Sequence, residues 1–160
     1  MDSGEISRNT ATDGGGVCLT NGIFTMNGGE ISGNKASGNG GGIVVSGMSL
    51  DKKITKFSME GGKISRNTAS AYGAGVYVEN WGCIFNKTGG SIYGYSKADS
   101  NSNTVKNNSG VVQKSHGHTV YIDPKNNLYK MGKDSTSVPT DELSFNGSTN
   151  PPTYNGSWEF

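Results

Sequence analysis

One motif returns four times along this chain, and its return fixes most of what the chain can fold into. Ser3-Gly4-Glu5-Ile6-Ser7-Arg8-Asn9-Thr10-Ala11 is followed by Gly14-Gly15-Gly16-Val17-Cys18-Leu19. The same frame runs from Phe24-Thr25-Met26 through Gly28-Gly29-Glu30-Ile31-Ser32-Gly33-Asn34-Lys35-Ala36 to Gly40-Gly41-Gly42-Ile43-Val44-Val45. It runs again from Phe57-Ser58-Met59 through Gly61-Gly62-Lys63-Ile64-Ser65-Arg66-Asn67-Thr68-Ala69 to Gly73-Ala74-Gly75-Val76-Tyr77-Val78. A fourth copy starts at Phe85, reaches Gly89-Gly90-Ser91-Ile92 and closes late, at Gly117-His118-Thr119-Val120-Tyr121-Ile122. Ile6, Ile31, Ile64 and Ile92 are therefore 25, 33 and 28 residues apart. A period in the twenties that absorbs insertions is the signature of a solenoid.

The pattern inside each repeat selects the type of solenoid. Phe-x-Met and Val-x-Val alternate with period two, and Gly pairs or triplets bend the chain between them. Each repeat reads as three short strands, so the chain is all-β: a right-handed parallel β-helix of about four coils. The composition agrees. Leu, Ile, Val and Phe number 28 of 160 residues, too few for an ordinary core unless the same few stack coil upon coil, ~4.8 Å apart. Phe24, Phe57 and Phe85 form one inward column, with Met26 and Met59 beside it. The Ile column, Val17-Ile43-Val76-Val120, Leu19-Val45-Val78-Ile122 and a narrow Ala11-Ala36-Ala69 corner complete the core. Lys87 stands where the Met column continues, so the core is expected to open or end there.

Asn9, Asn34 and Asn67 fall three residues after each Ile, at a bend. Recurrence in every intact coil reads as a structural ladder of stacked amides, not a catalytic row.

These residues also resemble a family. Asn34-Lys35-Ala36 with Gly41-Gly42-Ile43, Asn9-Thr10-Ala11 with Gly15-Gly16-Val17, and Asn67-Thr68-Ala69 with Gly75-Val76 look like the Phe-x-Asn-x-Ala…Gly-Gly-Ala-Ile repeats of bacterial polymorphic outer-membrane-type surface proteins and related pectin-lyase-like β-helix adhesins. The chain departs from that pattern in carrying Ile31 and its equivalents where the family places Phe, and in lacking the Ala before Ile43. The resemblance spans roughly residues 3–123. It implies an extracellular or bacterial cell-surface module for adhesion or display, without enzymatic activity, whose partner is a host surface protein or carbohydrate. Two alternatives stay open: a carbohydrate-active enzyme or carbohydrate-binding module of the same fold, and a structural spacer.

The domain reading is a repeat region over 1–123, an Asn/Ser/Lys-rich insertion loop over about 95–115, and an irregular C-terminal cap over 124–160. The first repeat lacks the Phe-x-Met strand of its successors. Its open edge suggests the C-terminal fragment of a longer protein, or an end-to-end homodimer through that coil.

The remaining chemistry is sparse. A net charge of +1 gives no electrostatic case for nucleic acid, and no apolar run is long enough for a membrane-spanning helix. The 13 acidic residues are scattered, so no catalytic residue and no cofactor is assigned. His116 and His118, two apart on a strand lead-in, would share one face but have no third ligand nearby, so no metal site is assigned either. Cys18 and Cys83 lie in different columns, too far apart to bridge, and read as two free thiols. The one binding stripe is outward: Val44, Tyr77 and Tyr121 in one column, with Cys18 above them and Trp81 close in sequence.

Overall fold

The computed structural model describes residues 1–47, 54–79, 83–95, 100–113 and 116–123. Trp81 and the expected cap over 124–160 lie outside these residues. The described residues form fifteen strands in chain order. The first coil comprises β1 (Glu5–Ser7), β2 (Thr10–Ala11), β3 (Val17–Thr20) and β4 (Gly22–Met26). The second comprises β5 (Glu30–Ser32), β6 (Lys35–Ala36), β7 (Ile43–Ser46) and β8 (Thr55–Met59). The third comprises β9 (Lys63–Ser65), β10 (Thr68–Ala69), β11 (Val76–Val78) and β12 (Cys83–Lys87). The fourth comprises β13 (Ser91–Ile92), β14 (Thr104–Val105) and β15 (Val120–Ile122). Among the described residues no helix is long and apolar enough to cross a membrane.

Equivalent strands of successive coils pair in parallel, giving four sheets of order β1-β5-β9-β13, β2-β6-β10-β14, β3-β7-β11-β15 and β4-β8-β12. The chain is a parallel β-helix of about four coils. The first three coils have four strands each rather than the three expected, because the Asn bend is followed by a two-residue strand before the chain turns again. The register is that of the repeat: Ile6 faces Ile31, then Ile64, then Ile92. Val17, Ile43, Val76 and Val120 align likewise. Phe24, Phe57 and Phe85 stack with ring centroids 5.5 and 5.3 Å apart. From the second coil downward nearly all of these inward side chains are fully buried, whereas Ile6, Val17, Leu19 and Phe24 of the first coil are only partly so.

Glycine sits where a coil must touch the next. At Gly42 an added Cβ would stand 2.6 Å from the Gly75 carbonyl oxygen and 3.0 Å from Asn67 Nδ2. Both atoms belong to the coil below, so a side chain there would push the coils apart.

Two expectations need correction. The core does not open at Lys87. That side chain is fully buried, and its Nζ donates to the Gly90 carbonyl at 2.7 Å; the long methylene stem fills the Met column and the ammonium reaches a turn carbonyl. Nor is 95–115 a single solvated insertion. Asn103, Thr104 and Val105 return to the coil, where β14 pairs with β10 and Val105 continues the alanine corner opposite Ala69. Beyond it, Lys106 and Val112 form an isolated antiparallel bridge, so the outward excursion is a small hairpin.

Candidate functional site

The amide column is internal. Each rung donates from its backbone N–H and from its side-chain amide to the side-chain oxygen of the rung below: Asn9 to Asn34, both at 3.0 Å; Asn34 to Asn67 at 2.9 and 3.0 Å; Asn67 to Asn103 at 2.9 and 3.0 Å. Each lower amide also donates at 2.9 Å to the carbonyl of Ile6, Ile31 or Ile64 one coil above. Asn103 is a fourth rung that the sequence reading missed. These groups are occupied in holding the bend, and Asn34, Asn67 and Asn103 are buried.

The outer face of the β3-β7-β11-β15 sheet is different. Its central outward column is Cys18, Val44, Tyr77, Tyr121. On one side lie Thr20 and Ser46, continued in the same register by Glu79 and Asp123, whose N–H groups donate to Val45 and Val78. On the other side lie the residues before each bend glycine: Asp13, Asn39, Tyr72 and His116. Their alignment follows from Gly14, Gly40 and Gly73, whose N–H groups donate in turn to Asn39, Tyr72 and His116. The glycines that follow these four residues all have φ between 62 and 69°, a conformation in which glycine is favoured.

Three columns of unequal bulk make relief. In the two lower coils the middle is filled by rings. Tyr77 and Tyr121 are parallel within 4° at 5.7 Å, and Tyr72 packs on Tyr121 at 4.5 Å and on His116 at 4.8 Å. In the two upper coils the middle holds only Cys18 and Val44. The step leaves a pocket of about 190 Å³, with Cys18 and Val44 in its lining, Asp13 and Asn39 to one side, Ser46 and Glu79 to the other, and Tyr77 at its lower end.

The pocket's polar partners are acceptor-rich. Asp13 Oδ1 accepts from the Asn39 N–H at 2.6 Å, and Glu79 accepts from the Ser46 hydroxyl. Asn39 Oδ1 is buried without a donor. Tyr77 donates to Asp123 at 3.5 Å; burial first, then the charges of Asp123 and Glu79, push its phenol well above the ordinary range. Burial, then Tyr72 and Asp123, also raise Tyr121. Ionised phenolate is thus disfavoured here, and the rings are neutral.

The other sequence candidates separate. His116 and His118 do not share a face, because Gly117 at φ 69° breaks the strand alternation. His116 stacks outside on Tyr72, while His118 is 1% exposed and its Nδ1 accepts from the Val105 N–H at 2.9 Å. Among the described residues no group of three or more His, Cys, Asp or Glu gathers to hold a metal ion. Neither cysteine forms a disulfide; Cys18 is exposed and Cys83 buried, and burial pushes the Cys83 thiol up to about 11. Of the expected stripe, Val44, Tyr77 and Tyr121 adjoin. Tyr72, Asp13, Asn39 and Glu79 were missed, although the first three share the signal of preceding a bend glycine.

Compared with known proteins, the chain matches no family model, no curated protein and no solved structure.

Proposed function

We propose that the chain is a non-enzymatic, extracellular or cell-surface β-helix module for adhesion or display, akin to the Gly-rich repeats of bacterial polymorphic outer-membrane-type proteins and pectin-lyase-like adhesins. The observation that carries this reading is the half-exposed tyrosine pair of β11 and β15 beside a pocket on the same sheet face. Aromatic rings held rigidly by stacking offer contact area at little entropic cost. The test is adsorption of the purified chain to immobilised extracellular-matrix proteins and glycans. Saturable binding that drops at least fivefold in Tyr121→Ala supports the reading; no binding to either class of surface defeats it. Localisation is tested by antibody labelling of intact cells that make the protein.

A second reading has one observation in its favour. Glu79 and Asp123 occupy neighbouring rungs of one outward column, and both act on the Tyr77 phenol. Two convergent carboxylates are what glycoside hydrolysis requires. Release of reducing sugar from polysaccharide, abolished by Glu79→Gln, would favour an enzyme over an adhesin.

A further inference from the structure

The pocket between Asp13 and Glu79 selects its occupant by charge and by shape. Among the described residues its polar lining carries two carboxylates, with the Ser46 hydroxyl already turned toward Glu79. No Lys or Arg is among the described lining residues. The two carboxylates favour a donor-rich cation over an anion.

Shape narrows the choice. At about 190 Å³ the pocket lies below the roughly 300–1,000 Å³ of sites that enclose a whole small-molecule ligand. It suits one side chain. Val44 and Cys18 offer an apolar bed for an aliphatic stem. One face of the Tyr77 ring is covered by the parallel ring of Tyr121, which leaves the other toward the coil above, where Val44 is too small to cover it. A cation over an aromatic face is attracted by the ring quadrupole, more strongly when desolvated.

We propose that this pocket receives a lysine or arginine side chain of a protein partner, its stem along Cys18 and Val44, its charged head between Asp13 and Glu79 and against Tyr77. The proposal rests on the adhesion reading for its partner, while the pocket chemistry stands apart from it.

The experiment is an amide chemical-shift titration of the ¹⁵N-labelled chain at low salt. The probes are N-acetyl-argininamide, N-acetyl-lysinamide, the uncharged isostere N-acetyl-citrullinamide, and methyl glucoside. Expected are saturable shifts at Asp13, Val44, Ser46 and Tyr77 with the two cations, at least tenfold weaker with citrulline and glucoside. Asp13→Asn keeps the acceptor for the Asn39 N–H and so keeps the fold; it and Tyr77→Leu should each weaken cation binding at least fivefold. Equal binding of the citrulline probe, a preference for glucoside, or unchanged affinity in a folded Asp13→Asn overturns the proposal. A chain that takes the cations here but adheres to no surface ends the adhesion reading and leaves the pocket assignment intact.

Discussion

At the scale of single residues, burial decides what each polar group contributes. Asn67 is fully buried; Asn67→Ala strands the Asn34 N–H and side-chain amide above it, and it removes the side-chain donor to the Ile31 carbonyl and one of the two donors to the Asn103 oxygen. With unsatisfied buried groups costing about 1–3 kcal/mol each, the loss in a urea titration should exceed about 3 kcal/mol. Asn9→Ala, at the exposed top of the column, should cost less than about half of that. His118 gives a pH-dependent counterpart. Burial, then the neighbouring His116, push its pKa down to about 4 from an ordinary value of 6.5. Its Nδ1 accepts the Val105 N–H, so the folded chain holds the neutral ring with the proton on Nε2. Between pH 6.5 and about 4 the unfolded chain binds a proton that the folded chain refuses. Stability is therefore full above pH 6.5, falls as pH drops through that window, and levels off below it. The loss is about 3 kcal/mol. Urea midpoints at pH 7.0 and 4.5 check this; His118→Gln should flatten the slope, and an unchanged slope would count against the assignment.

At the scale of elements, ladders of like side chains set the register and glycines let the ladders meet. Phe57 lies between two stacked rings in the core, so Phe57→Ala should cost about 3–5 kcal/mol. Gly42→Ala, whose Cβ would crowd Gly75 and Asn67, should cost about 1–3 kcal/mol by overpacking. Thermal melts of the two variants, read against Asn9→Ala, give the ranking. The columns of Ile, Phe and Val were legible in the sequence because identical residues recur at matching offsets from a glycine pair. The β14 strand was not. Asn103-Thr104-Val105 repeats Asn67-Thr68-Ala69, but it is embedded among Asn101, Asn107 and Asn108, and a polar run hides a single frame. The pocket was half legible. Period two gave Cys18, Val44, Tyr77 and Tyr121, whereas Asp13, Asn39, Tyr72 and His116 sit in bends, where no alternation signals which way a side chain projects.

At the scale of the whole molecule, stability is a sum over coil-to-coil contacts rather than the property of one centre. The first coil shares its core with one neighbour and the second and third with two, and the partial exposure of Ile6, Val17, Leu19 and Phe24 records the difference. Hydrogen exchange should follow it: the amides of β5, β7, β9 and β11 exchange slowest, and those of β1 and β3 at least tenfold faster. Uniform protection across coils would mean that the array unfolds only as a unit. Coil lengths that differ while the register persists also locate tolerance to change. A polar insertion in the 106–112 hairpin should shift the melting temperature by less than the Gly42→Ala substitution, although it adds far more atoms.

The amide column has two unlike ends. Asn9, Asn34 and Asn67 each hand one side-chain proton down to the next rung, and Asn34, Asn67 and Asn103 hand the other up to an isoleucine carbonyl. At the lower end Asn103 spends its amide protons on Ile64 and Tyr93. At the upper end Asn9 turns both a side-chain oxygen and its second amide proton away from the coils below. A copy turned over by a two-fold axis brings the same donor and acceptor, and the two amides can answer each other. Association through the first coil should therefore halt at a pair in light scattering at rising concentration, and steady growth beyond a pair would count against this.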